Sequence, residues 1–100
     1  MVVSSADLAN SDKTEAFLKK TGAFAKGDFH GAFLHAGVAE LTMAAIMNGI
    51  LLHGGMQAAC GTFFVFSDYM KPAVRMAALM ELPVKYVWTH DAFRVGEDGP

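Results

Sequence analysis

Gly37-Val38-Ala39-Glu40 opens into Leu41-Thr42-Met43-Ala44-Ala45-Ile46-Met47-Asn48-Gly49-Ile50-Leu51-Leu52, a nearly continuous apolar stretch that Gly54-Gly55 closes. Over this length a helix carries apolar residues on every side, so the pattern predicts a helix covered all round rather than along one stripe. Paired glycines suit the stop, because glycine enters the left-handed conformation without a Cβ clash. Glu40 is the one charge at the start of this helix. A carboxylate in the first turn is favoured by the helix dipole alone, yet at the mouth of so apolar a segment it is also a candidate for chemistry.

Working outward from this helix gives an alternating series. Met1-Val2-Val3-Ser4-Ser5 reads as the end of a buried strand that runs into the polar turn Ala6–Asp12. Residues 13 to 31 show no sustained period and are expected to be mostly loop, with a short helix over 12 to 19. Gly31–His35 forms a short strand before the central helix. After it, Gly61–Phe66 is rich in aromatic and β-branched residues and apolar on both sides, as a strand inside a parallel sheet would be. Ser67 or Asp68 is expected to cap a helix over Tyr69–Glu81, with Pro72 in the first turn, where a missing N–H costs little. Val74, Ala77, Ala78 and Leu79 would be its buried stripe. Val84–Thr89 makes another strand. The series predicts an α/β fold, a parallel sheet with flanking helices and right-handed crossovers. The tail His90–Pro100 reads as an unfinished loop, so the chain is expected to be a piece of a longer one.

Composition narrows the class. Of 100 residues, 53% are hydrophobic and only 18% charged, an excess that suggests surface meant for a neighbour. The longest uncharged run, Leu41–Gly61, is broken by Asn48, His53, Gln57 and glycines, whereas a spanning helix needs about 20 mainly apolar residues, so no membrane partner is expected. Residues 1 to 20 lack a charged start followed by an apolar core, which argues against a secretory leader and for the cytoplasm. A net charge of -2 with scattered basic residues offers no stripe for nucleic acid. Cys60 is the only cysteine, so neither an internal disulfide nor a cysteine metal cluster can form, and it is expected to pack as a small hydrophobe.

The candidate chemistry is sparse. His30, His35, His53 and His90 fall on separate elements without metal-ligand spacing. His90 stands apart because it follows Val84–Thr89 directly, at the carboxyl end where open α/β sheets bind ligands. Phe63, Phe66 and Tyr69 are compatible with core packing, but Phe66 and Tyr69 straddle a strand end, where an aromatic wall could stack on a flat ligand. There is no phosphate-binding glycine loop and no nucleophile elbow. Physics alone leaves an α/β segment with one acid and several aromatics near one edge.

Ser5-Ala6-Asp7-Leu8, Gly37-Val38-Ala39-Glu40, Gly61–Tyr69, Ala73–Leu79 and Thr89-His90-Asp91 with Gly96-Glu97-Asp98-Gly99-Pro100 together resemble transketolases, in that family's order and spacing. The resemblance covers residues 1–100 and implies part of a thiamine-diphosphate-binding (pyrimidine) domain. The chain departs from the family in two places: Ala39 stands where many members have arginine, and Ala92-Phe93-Arg94 replaces the usual Ser-Ile-Gly.

The resemblance also implies roles. Glu40 matches the catalytic glutamate that hydrogen-bonds N1′ of the aminopyrimidine and promotes its imino tautomer, a task that burial of the carboxylate would favour. Phe63, Phe66 and Tyr69 match the aromatic pocket around that ring, and Asp7 an aspartate near the thiazolium. Ser11, His90 and Asp98 match substrate contacts, the first two to the sugar phosphate and Asp98 to a hydroxyl. The implied cofactors are thiamine diphosphate and Mg2+ or Ca2+, whose ligands would lie in a diphosphate-binding domain outside this segment. The implied activity moves a two-carbon ketol unit between sugar phosphates in the pentose phosphate pathway. Its site would be shared with the diphosphate-binding domain of the partner subunit in a homodimer, so the isolated 100-residue chain is expected to be inactive. Two alternatives stand beside this reading: a non-catalytic pairing module, and a related thiamine-diphosphate enzyme such as a deoxyxylulose-phosphate synthase or a 2-oxo-acid dehydrogenase β subunit.

Overall fold

A computed structural model describes residues 1–91. Four parallel strands, β1 (Val2–Ser5), β2 (Phe33–His35), β3 (Ala58–Phe63) and β4 (Lys85–Thr89), lie in the order β2-β1-β3-β4. Val3 pairs with Phe33 on one side and Ala59 on the other, and Phe63 pairs with Thr89. The expected parallel α/β arrangement is present. Because all strands run one way, the residues that follow Ser5, His35, Phe63 and Thr89 gather at a single edge.

Three helices and a 3-10 segment connect the strands: α1 (Glu15–Thr21), α2 (Glu40–His53), the 3-10 segment Phe64–Tyr69 and α3 (Lys71–Leu79). The core joins Met43, Ala44 and Met47 of α2 to Ala58 and Cys60 of β3 and to Met70 and Ala73. Cys60 is fully buried there, as a small hydrophobe. Burial pushes its thiol up to about 12, with the nearby Asp12 charge as a second cause.

One polar residue interrupts the apolar side of α2. Buried Asn48 donates to the Ala73 carbonyl at 2.9 Å and accepts a hydrogen bond from the Tyr86 hydroxyl, which fastens α2 to α3 and β4 together. Burial raises the Tyr86 hydroxyl to about 12, helped by Cys60 and opposed by the Asn48 hydrogen bond.

Several expectations need correcting. Within this chain α2 is not covered all round: Leu41, Ile46 and Leu52 are exposed on the side away from Met43 and Met47, with Leu52 at 59%. The apolar excess is therefore surface, not core. β3 begins and ends three residues earlier than the sequence suggests, and Phe64, Val65 and Phe66 turn into the 3-10 segment, with Phe64 and Val65 exposed. Residue type favoured strand there, but the chain must turn at the sheet edge. The helix cap is also different. α3 starts at Lys71 behind Met70 without a side-chain cap, while the Ser67 carbonyl accepts the Met70 N–H at 2.9 Å. Ala73 and Ala77 are its buried residues, and Ala78 and Leu79 face outward. Residues 13 to 31 hold the short helix α1, displaced slightly towards the C-terminus of the expected span.

Candidate functional site

The cleft at the carboxyl edge collects one contribution from each of three connections. Ala6, Asp7 and Leu8 come from the turn after β1, Val38 and Glu40 from the link between β2 and α2, and Phe66 and Tyr69 from the 3-10 segment after β3. They enclose about 430 Å³. β1 lies between β2 and β3, so the chain leaves it towards one side of the sheet and returns to the other. Such switch points leave a crevice between the strand ends, which is where open α/β sheets bind ligands.

Glu40 is the first residue of α2 and only 8% exposed. Among the described residues its carboxylate meets no hydrogen-bond or ion-pair partner. Its oxygens are not among the fully enclosed polar atoms that lack a partner, which among those residues are Thr62 Oγ1 and Trp88 Nε1, so the carboxylate keeps an opening, and that opening is the cleft it lines. Asp7 is exposed at the cleft and held in the left-handed region with φ 65°, a conformation that aspartate tolerates better than most residues.

The aromatic residues form a row. Tyr69 and Phe66 have ring centroids 6.3 Å apart at 16°, Phe66 and Phe63 6.3 Å apart at 17°, and Phe63 and His90 3.9 Å apart. Phe66 and Tyr69 end this row at the cleft. Two carboxylates and two aromatic faces, with no cation in the lining, suit a flat ligand that carries positive charge.

The residues singled out from the sequence are thus partly assembled. Asp7, Glu40, Phe66 and Tyr69 line one cleft. Phe63 does not line it but lies behind Phe66, linking it to His90 at the end of β4. His90 is exposed, with Nδ1 2.9 Å from the Thr89 hydroxyl. Ser11 lies on the turn after β1, its hydroxyl 3.3 Å from Asn10 Oδ1, and is not among the lining residues. Asp98 lies outside the described residues. Leu8 and Val38 were given no role from the sequence, since nothing in an apolar side chain distinguishes cleft lining from core. Asp12 was missed too, although an aspartate two residues before Thr14, just ahead of a helix, is a recognisable turn-forming signal.

No group of three or more His, Cys, Asp or Glu side chains among the described residues could hold a metal ion. No helix among them is long and apolar enough to cross a membrane.

Residues 1–100 match the family model described as the transketolase pyrimidine binding domain. The chain is 56% identical over 96 residues to a transketolase of Bacillus subtilis, covering 96% of this chain and 14% of that protein, and 50% identical over the same length to one of Cereibacter sphaeroides. Among solved structures it is similar to a transketolase from Leishmania mexicana, with a TM-score of 0.91 and 40% identity over 99% of this chain and 15% of that one. It is also similar to the Pichia stipitis transketolase in complex with sedoheptulose-7-phosphate, with a TM-score of 0.89 and 42% identity. The chain spans about one seventh of the length of these relatives.

Proposed function

Because this chain belongs to the transketolase family, we propose that residues 1–100 are part of its pyrimidine-binding domain and hold the aminopyrimidine of thiamine diphosphate for ketol transfer between sugar phosphates. The observation that carries this reading is the cleft onto which the largely buried Glu40 and the rings of Phe66 and Tyr69 converge.

The residues present fit that cofactor. Glu40, protonated, would donate its proton to the pyrimidine N1′ or share it there, a hydrogen-bond partner that its carboxyl lacks among the described residues. Phe66 and Tyr69 would stack on or flank the ring, and Asp7 would offset the positive thiazolium. When bound, the cofactor supplies a carbon acid that becomes the nucleophile towards the ketose. Once the exposed Val38 and Tyr69 are covered by the rest of the assembly, they would exclude water with Leu8 and Phe66 and so strengthen each polar contact inside the cleft. His90 and Ser11 would meet the phosphorylated end of the sugar, and Asp98 one of its hydroxyls.

The divalent ion, Mg2+ or Ca2+, has no ligand set among the described residues and is assigned to a diphosphate-binding domain. We place that domain on the partner subunit of a homodimer acting in the cytoplasm. Exposed apolar residues, Val38 at the cleft and Leu41, Ile46 and Leu52 along α2, support burial by another part of such an assembly. Substituting Glu40→Ala in the enzyme that carries this segment tests the assignment. Turnover should fall by at least about a hundredfold, a usual loss for a missing acid–base group, with the fold retained; unchanged turnover would overturn it.

A further inference from the structure

Asp12 is 1% exposed and accepts hydrogen bonds at both carboxylate oxygens. Oδ2 takes the Ser5 hydroxyl at 2.5 Å, and Oδ1 takes the Thr14 hydroxyl at 2.7 Å and the Thr14 N–H at 3.1 Å. Because the Ser5 proton is committed to Asp12, a Ser5 lone pair is free to receive the Leu8 N–H, at 3.2 Å. That last bond spans Asp7, the residue carried into the cleft with φ 65°. The staple is seated on β3 at Gly61, where an added Cβ would lie 3.0 Å from Thr14 Cγ2 and 3.1 Å from Asp12 Oδ2.

We propose that Asp12 is a positioning residue, which through the Ser5 hydroxyl fixes the turn after β1 and so holds the Asp7 carboxylate at the ligand cleft. Aspartate tolerates the left-handed region better than most residues, and the bond from the Leu8 N–H to Ser5 Oγ holds the turn in which Asp7 adopts it. The inference rests on the reading of the cleft as the thiamine diphosphate site and adds to it a residue that touches no ligand. Asparagine at position 12 could keep the arrangement: its oxygen can still receive Thr14, and its amide can donate to Ser5, whose second lone pair remains for Leu8.

The test is a double-mutant cycle on thiamine diphosphate affinity, titrated in the enzyme that carries this segment. Asp12→Ala and Ser5→Ala should each weaken binding about tenfold, the loss expected for a hydrogen bond to a charged group, while Asp12→Asn should stay close to the unsubstituted enzyme. In an Asp7→Ala background neither Asp12→Ala nor Ser5→Ala should weaken binding further, which a purely structural staple would not produce. Where Asp12→Ala fails to fold, the Ser5→Ala half of the cycle decides. Equal losses in both backgrounds, or unchanged affinity on Asp7→Ala alone, would overturn the inference while leaving the Glu40 assignment standing. No thiamine diphosphate binding by the unsubstituted enzyme would overturn the cofactor reading and this inference with it.

Discussion

The His90 ring lies against Phe63 with centroids 3.9 Å apart, so the histidine at the end of β4 is coupled to the aromatic row whose far end lines the cleft. Phe63 therefore has two neighbours to serve and no cleft surface of its own. Phe63→Leu keeps the bulk but removes the stacking, so the phosphorylated substrate's KM should rise about two- to tenfold, the range expected from an aromatic pair. Cofactor affinity should change less. Steady-state kinetics beside a cofactor titration checks this, and a loss of cofactor affinity as large as that of Phe66→Ala would move Phe63 into the ring pocket.

Phe66 is the aromatic that both lines the cleft and stacks on two other rings. Phe66→Ala should weaken cofactor binding by about 0.5 to 1.5 kcal/mol for stacking, with lost burial in addition. Unchanged affinity would return Phe66 to a packing role.

These aromatics also show where the sequence was legible. Alternating strand and helix patterns led to the parallel sheet, because buried parallel strands and their crossover helices leave strong local signals. The bounds of β3 were not legible: Phe63, Phe64, Val65 and Phe66 favour strand by type, and only the pairing with β4 ends it at Phe63. The exposed side of α2 was hidden for a related reason. A helix apolar on all sides does not reveal whether its cover comes from the same chain. For the site, Glu40 and the strand-end aromatics stood out by position, while their roles came from resemblance alone. The turn that Asp12 makes with Thr14 has a local signal, but its bond to Ser5 and its seat against Gly61 are contacts between distant positions, which no local pattern displays.

Asn48 links three elements through the Ala73 carbonyl and the Tyr86 hydroxyl. Asn48→Ala strands both groups, at about 1 to 3 kcal/mol for each that stays unsatisfied. Hydrogen–deuterium exchange should therefore quicken in α3 while the strand amides of β1 keep their protection. Unchanged exchange across Lys71–Leu79 would contradict this link.

The Cys60 thiol ties stability to alkaline pH. Its value rises on folding from 9.0 to about 12, so the folded state holds the proton more tightly than the unfolded state. The resulting stability is fully present below pH 9.0 and is lost as pH rises through about 12. Tyr86, raised from 10.0 to about 12, adds in the same sense over a narrower window. Between pH 9 and 10 the unsubstituted enzyme should lose stability faster than Cys60→Ala, as followed by urea unfolding. Parallel pH profiles would contradict the thiol's contribution.

If Glu40 activates the cofactor through its pyrimidine ring, deuterium exchange at the thiazolium C2 of bound thiamine diphosphate depends on the Glu40 carboxyl. Glu40→Gln keeps the size and much of the hydrogen-bonding capacity of the side chain but cannot share a proton in the same way. Exchange in this variant should be slower by about 10²- to 10⁴-fold, with the cofactor still bound. Exchange at the unsubstituted rate in a cofactor-loaded Glu40→Gln enzyme would contradict it.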